Sequence, residues 1–109
     1  MKIKSLALAL ILGLSAVSAQ ADPFDEGLTY YISGHPDKAL TVWQPLAVQG
    51  HADAQFHLGH MYRQGEGVEQ NDRTALKWYR MASMQGHKTA EFQARLLREK
   101  LSPNRFALR

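Results

Sequence analysis

The chain repeats a set of residues at a spacing of 36 positions, and this repeat is the feature that most constrains its fold. A fixed period of about 20–50 residues is typical of stacked structural units, each of which buries its apolar face against a neighbour. The repeat therefore predicts an extended binding scaffold and argues against a closed catalytic pocket. The matched residues are Ala39, Leu40, Trp43, Gln49, Gly50, His51, Ala54 and Phe56, followed by Ala75, Leu76, Tyr79, Gln85, Gly86, His87, Ala90 and Phe92.

Residues 1–21 resemble a secretory signal peptide and not a repeat unit. Lys2 and Lys4 precede an apolar stretch, and the segment from Ala19 to Ala21 has small residues where signal peptidase requires them. An uncleaved membrane anchor is the alternative, but the apolar run is shorter than the about 20 residues that a span needs. We expect cleavage after Ala21 and a periplasmic or secreted protein. A lipoprotein signal is excluded because the chain has no cysteine.

The remaining residues, 22–109, are enough for one small domain without disulfides. This part is nearly neutral, but residues 22–87 carry five basic and eight acidic side chains whereas residues 88–109 carry six basic and two acidic ones. A basic C-terminal helix could meet an acidic partner or a membrane surface, although such a run is more often a solvated helix face. Nothing in the composition indicates a nucleic-acid-binding module.

Apolar periodicity and turn residues predict five helices with short connections. They cover about residues 24–33, 36–49, 52–64, 72–85 and 88–101, and Asn71 or Asp72 is suited to cap the fourth. Pro45 lies inside the second helix and lacks an N–H group, so we expect a kink or an early end there. Residues 102–109 are predicted to be a C-terminal tail.

Two glycines interrupt predicted helices at matching places. Gly27 lies in Phe24-x-x-Gly27-x-x-Tyr30, and Gly59 has the same neighbours in the next odd-numbered helix. A glycine inside a helix costs about 1 kcal/mol relative to alanine. We expect each missing side chain to let the partner helix of a hairpin approach closely.

The central segment resembles a Sel-1-like repeat, a relative of the tetratricopeptide repeats with a longer hairpin loop. This resemblance implies an all-α fold, a short right-handed α-solenoid of antiparallel helix pairs over residues 22–101. Residues 24–50 are similar with a shorter loop, and the third unit is half a repeat in which Arg95 and Arg98 replace the family's glycine and tyrosine. The motif consists of Ala54, Leu58, Gly59, Tyr62, Gly65, Gly67, Val68, Asp72, Ala75, Trp78, Tyr79, Ala82, Gln85 and Gly86.

The resemblance also implies that the first helix of each pair lines a concave surface that holds a peptide or another protein. Phe24, Phe56 and Phe92 would form an aromatic column across it, or would instead fill gaps between stacked helices. We expect Phe56 and Arg63 to be the main anchors, because aromatic residues and arginine dominate protein interfaces. The candidate lining residues are Phe24, Leu28, Tyr31, Asp53, Phe56, His60, Arg63, Gln64, Phe92 and Leu96, with Glu99 and Lys100 beyond them.

Other chemistry has less support from the residues. His57 and His60 lie three apart on one helix face, but a metal site needs three or four ligands and a clear third one is lacking. The chain has no cysteine, no nucleophile elbow and no phosphate-binding glycine loop. Glu66 and Glu69 are predicted to lie in an exposed loop. We therefore predict no catalytic residues, no metal and no cofactor.

The sequence as a whole favours an exported helical scaffold for a protein or peptide partner, in envelope assembly, secretion or host contact. Self-assembly is the first alternative, because an array of two and a half units leaves its end faces exposed. A metal carrier or enzyme built around His57 and His60 is the second.

Overall fold

The computed structural model describes residues 22–103 as five α-helices joined by short turns. Consecutive helices pack mainly on one another, so α1 with α2 and α3 with α4 form two antiparallel hairpins, and α5 starts a third unit. The predicted all-α fold with five helices is confirmed, whereas the predicted signal peptide of residues 1–21 and residues 104–109 lie outside the described residues. The helices are α1 (Pro23–Ile32), α2 (Pro36–Val48), α3 (Ala52–Gln64), α4 (Asp72–Met84) and α5 (Lys88–Leu101).

The same turn ends α1, α2 and α4. Gly34, Gly50 and Gly86 adopt left-handed backbone angles, with φ of 85°, 103° and 90°. The amide of the residue after each glycine then donates to a carbonyl in the helix that has just ended, at 2.9–3.2 Å. This is the Schellman pattern, in which glycine avoids the cost of a left-handed side chain. Each turn reverses the chain within three residues and sets adjacent helices antiparallel.

Histidine follows each of these glycines, and two of the histidines cap the next helix. His51 Nδ1 accepts from the amide of Ala54 at 3.2 Å, and His87 Nδ1 accepts from the amide of Ala90 at 3.1 Å. These bonds satisfy helix N–H groups that have no intrahelical partner. Helix capping therefore explains the presence of histidine at both positions.

Two apolar clusters form the core, one in each half of the described chain. Trp43 is the largest residue of the first cluster and Tyr79, its counterpart one repeat later, is the largest of the second. The clusters are joined because Trp78 of α4 packs on the first and Phe56 of α3 packs on the second. The first contains Ala39, Trp43, Ala47, Ala54, Leu58 and Met61, and the second contains Ala75, Tyr79, Ala82, Ala90, Ala94 and Leu97.

The two helical glycines accommodate aromatic rings of the partner helix. A Cβ atom on Gly27 would lie 2.3 Å from Nε1 of Trp43, and one on Gly59 would lie 2.7 Å from the ring of Tyr79. The close approach also lets Trp43 Nε1 donate to the carbonyl of Phe24 at 3.0 Å. The predicted close approach of the hairpin helices is confirmed, and it is a ring that fills each space.

Pro45 does not end α2, which continues to Val48. The expectation of an early end is wrong for a physical reason. Pro45 is exposed and lies in the last four residues, so the helix loses one hydrogen bond near its end. Beyond it, the buried side chain of Gln55 donates to the carbonyl of Ala47 at 3.0 Å and holds the final turn in place.

The longer loop between α3 and α4 folds back onto the first unit. Gly67 has φ of 72°, and a Cβ atom there would lie 2.9 Å from backbone atoms of Pro36 and Asp37. The loop therefore rests against the start of α2, which only a residue without a side chain permits here. This contact brings Glu66, one residue earlier, close to the first helix of the chain.

Candidate partner-binding surface

The first helices of the units, α1, α3 and α5, lie side by side and form one face of the molecule. The rings of Phe24 in α1 and His57 in α3 are 5.3 Å apart, and Arg63 in α3 donates to the side chain of Gln93 in α5. We call the surface formed by α1, α3 and α5 the A-helix face. It carries all ten residues that the sequence analysis assigned to partner binding.

Glu66 joins two of the predicted residues at the N-terminal side of this face. The hydroxyl of Tyr31 donates to Oε1 of Glu66 at 2.8 Å, and Nε2 of His60 lies 3.4 Å from the same oxygen. Burial and the hydrogen bond to Glu66 raise the pKa of Tyr31 to about 12. The tyrosine therefore stays neutral at physiological pH and holds the loop against α1.

Polar pairs link the predicted residues of α3 to α5. Nε2 of His87 lies 3.0 Å from Oδ1 of Asp53, so the cap histidine of α5 also contacts the first turn of α3. Arg63 and Gln93 make a second link near the other end of these helices. These bonds fix the spacing of α3 and α5, and a surface whose shape is fixed beforehand loses less entropy on binding.

Phe24 and Phe56 pack against the cap histidines of the following unit. The ring of Phe24 stacks on His51 at 5.2 Å, and that of Phe56 stacks on His87 at 4.6 Å. The ring of His57 lies between Phe24 and Phe56, 5.3 Å and 5.4 Å from theirs, so these two members of the expected column are separated by a histidine. Both phenylalanines are only half-buried, and both rings pack against residues of the next repeat unit.

Phe92 and Leu96 are the apolar residues that α5 exposes most. Their side chains are 49% and 37% exposed, and the guanidinium of Arg95 lies 5.7 Å from the centre of the Phe92 ring. A groove of about 360 Å³ between α3 and α5 has Leu96, one helical turn after Phe92, on its wall. Its other lining residues are Arg63, Glu99 and Lys100. The structure thus brings Arg63 and Leu96 to one groove, with charges of both signs.

Leu28 and Gln64, the remaining two residues predicted to line the surface, differ in exposure. Leu28 is half-buried and packs on the first core cluster, so it supports the face from beneath. Gln64 is exposed at the last position of α3. The side chains available to a partner are therefore concentrated towards α5.

His57 and His60 have separate environments although they are three residues apart. The ring of His57 stacks on Trp43 at 4.7 Å, whereas His60 faces Glu66. Burial lowers the pKa of His57, with a smaller opposing influence from Asp53. Within residues 22–103 no three histidine, aspartate or glutamate side chains are grouped as a metal site would require. No helix in that range is long and apolar enough to cross a membrane.

Three residues that organise this face were not among those predicted from the sequence. Glu66 was interpreted as a solvent-exposed loop residue, and Gln93 received no role. Gln55 was also missed, although it is buried and links the carbonyl of Ala47 to the side chain of Gln85. The only available signal for Gln55 was a polar residue within the apolar stripe of α3. Such a residue usually has a structural hydrogen-bond partner.

The architecture defines a class of protein, a short solenoid of helical hairpins whose first helices share one face. Residues 52–87, which include the second hairpin, match the family model of the Sel1 repeat. The chain therefore contains a Sel1 repeat, as the motif beginning at Ala54 indicated, and its TPR-like helical-repeat fold is that of the family.

Two curated relatives are similar to the chain over part of its length. Proteins from Rhizobium leguminosarum bv. viciae and Rhizobium meliloti (strain 1021), each described as an exopolysaccharide production negative regulator, are 34% identical to the chain over 74 residues. The match covers 68% of this chain but 28% of each relative, so the chain corresponds to a minor part of those proteins. No solved structure matches the chain significantly.

Proposed function

We propose that this protein is a non-catalytic scaffold that binds a protein or peptide partner on the A-helix face. The groove between α3 and α5 carries the proposal, because Leu96 lies there among charged side chains of both signs, on two helices linked by hydrogen bonds. Phe92 and Leu96 provide the apolar contact, and Arg63 provides hydrogen-bond donors for a carboxylate of the partner. Sel1 repeats generally mediate protein–protein interactions, which supports the same assignment.

The proposed anchors differ in part from those that the sequence favoured. Arg63 keeps its role because it lines the groove. Phe56 contributes less to binding in this proposal, since its ring stacks on His87 and packs on the second core cluster. Replacing Phe56 would disturb the packing between α3 and α5, so a loss of binding could not be distinguished from a loss of structure.

The test compares two double variants that remove similar apolar areas from exposed positions. Phe92→Ala/Leu96→Ala alters the groove, whereas Ile32→Ala/Val48→Ala alters side chains that are 75% and 70% exposed outside it. Wild type and both variants are used to capture proteins from an envelope extract, and the captured protein is then titrated by calorimetry. We expect the groove variant to lose affinity by about tenfold or more, since an interface anchor contributes more than about 1 kcal/mol.

Equal affinity of the groove variant and wild type would contradict the proposal, provided that circular dichroism shows both folded. Equal losses in the two double variants would indicate contacts spread over the whole surface. If nothing is captured and light scattering reveals concentration-dependent oligomers, self-assembly replaces partner binding.

We also propose that the protein works outside the cytoplasm after cleavage at Ala21. The basic and then apolar composition of residues 1–21, with alanines at positions 19 and 21, supports this location. N-terminal sequencing of protein recovered from the periplasm or medium should begin at Asp22. Recovery of the chain with Met1 in the cytoplasm would contradict export and leave the binding proposal untouched.

The relatives suggest a context for this binding. They are described as negative regulators of exopolysaccharide production. A binding scaffold can regulate a pathway by occupying one of its proteins, which needs no active site of its own. We propose a regulatory adaptor role of this kind, and the captured partner will identify the pathway.

A further inference from the structure

The repeat places two equivalent grooves on the molecule, and only one of them is covered within the described residues. The first lies between α2 and α3, where Trp78 of α4 packs on the apolar cluster. The second lies between α4 and α5, and within residues 22–103 no side chain covers it as Trp78 covers the first. This second groove has a volume of about 440 Å³. We call it the C-terminal groove, lined by Arg73, Leu76, Lys77, Arg80, Arg98 and Leu101.

Four of the six lining residues are cations. Arg73, Lys77 and Arg80 follow one another at helical spacing along α4, and Arg98 faces them from α5. Among residues 22–103, no carboxylate lies within 4 Å of any of these four side chains. The only acidic residue of the adjoining cavity, Glu91, pairs with Lys88 at 3.7 Å.

The equivalent positions of the first groove carry no cation. One repeat earlier, Arg73, Lys77 and Arg80 correspond to Asp37, Thr41 and Gln44, and Arg98 corresponds to Tyr62. The positive charge is thus specific to the C-terminal groove. Leu76, on the other hand, retains the apolar character of its counterpart Leu40.

In α5, arginines stand at the two positions where the preceding unit has the glycine and the tyrosine that pack its helices together. Gly59 accommodates the ring of Tyr79, and Tyr62 packs on the second cluster. Their counterparts in α5 are Arg95 and Arg98, so another repeat helix could not approach α5 as closely as α4 approaches α3. A helix in this groove must instead offer carboxylates to the arginines.

We propose that the C-terminal groove binds an acidic amphipathic helix of another protein. Apolar residues of that helix would contact Leu76 and Leu101, and its flanking glutamates or aspartates would pair with the cations of α4 and α5. Residues 104–109 of this chain do not supply such charges, because they contain two arginines and no acidic residue. The C-terminal groove shares no lining residue with the groove between α3 and α5, so different substitutions test the two binding proposals.

The experiment uses a synthetic peptide as long as α4, which has 13 residues. Leucines follow one face of the peptide at helical spacing, glutamates flank them, and a fluorescent label reports binding by anisotropy. We expect saturable binding to the wild-type protein that weakens as salt is added. Arg80→Glu/Arg98→Glu should weaken it by about tenfold or more, because rows of like charge would then face the peptide.

The matched control is Lys38→Glu/Lys88→Glu, which changes the net charge equally at exposed residues outside the groove. This control and Phe92→Ala/Leu96→Ala should both bind the peptide like the wild type. Equal weakening by the two charge variants would mean that the peptide responds only to the net charge of the protein, and this would overturn the proposed site. Absence of peptide binding would also overturn it, as would binding of the protein to phosphatidylglycerol vesicles in its place.

Discussion

At the scale of single residues, His57 combines an aromatic environment with a titratable ring. Phe24, Trp43 and Phe56 surround it, with ring centres 4.7–5.4 Å away. Burial lowers its pKa because the protonated imidazole loses hydration among these rings. The neighbouring ionisable groups are Asp53, which favours the charged form, and His60 and His87, which oppose it. The native packing is therefore suited to the neutral form of the residue.

This arrangement predicts a stability that decreases in acid. The unfolded chain takes up a proton at His57 near the ordinary pKa of about 6.5, whereas the folded chain does so at a lower pH. The neutral ring's contribution is complete above about pH 6.5 and is lost as the pH falls through the lowered pKa. Urea unfolding from neutral pH down to about pH 5 should reveal this decrease in the free energy of unfolding.

The variant His57→Phe isolates the contribution of this residue. It keeps an aromatic ring in the stack and removes the titratable group, so its free energy of unfolding should fall less steeply in acid than that of the wild type. Parallel pH profiles for the two proteins would assign the acid sensitivity to other groups.

At the scale of helices, Pro45 shows how tertiary packing overrides a local preference. The proline removes a hydrogen bond and crowds the preceding turn, which costs about 3 kcal/mol in a helix interior. The cost is smaller near the C-terminus, and Trp43 and Ala47, both fully buried, hold α2 on each side of the proline. The helix is thus kept by its contacts and not by its own propensity.

Pro45→Ala should therefore stabilise the protein. We expect a gain of about 1–2 kcal/mol, because the restored hydrogen bond outweighs the greater entropy of the unfolded chain. For a domain of this size the gain corresponds to a rise of about 5–10 °C in the thermal midpoint. Pro36→Ala is the control, since proline is favourable at the start of a helix and its loss should give no such rise. An unchanged midpoint for Pro45→Ala would contradict the argument.

The sequence allowed prediction of elements whose causes are local. The five helices predicted from apolar periodicity and turn residues agree with the structure to within one residue at each end. The contact between Tyr31 and Glu66 could not be predicted, because it joins residues 35 positions apart through a loop held by Gly67. Likewise, the stacking of Phe56 on His87 depends on the distance between two packed helices.

At the scale of the whole molecule, the two core clusters share residues across the unit boundary. Trp78 belongs to the second hairpin and packs on the first cluster, and Phe56 belongs to the first helix of the second hairpin and packs on the second cluster. Gln55 adds a polar link, with hydrogen bonds to Ala47 and Gln85 on either side. Neither hairpin can open without exposing apolar surface of its neighbour, so we expect the described helices to unfold together.

Trp78→Phe makes this cooperativity measurable. The chain has two tryptophans, so the variant leaves Trp43 as the only one, buried in the first cluster. Its fluorescence should change at the same urea concentration at which circular dichroism reports loss of helix from both hairpins. A fluorescence midpoint well separated from the helix midpoint would mean that the hairpins unfold independently. Phenylalanine retains an apolar ring at position 78, which limits the perturbation of the joint.

The packing of each helix mainly on its sequence neighbours has a consequence for kinetics. Most contacts of α1 to α5 can form after closure of a short loop, and few require distant segments to find each other. Helical proteins with such low contact order reach the native state in about microseconds to milliseconds. A chain organised in this way spends little time after synthesis with its apolar surfaces uncovered, and so it is protected from aggregation by speed as well as by stability.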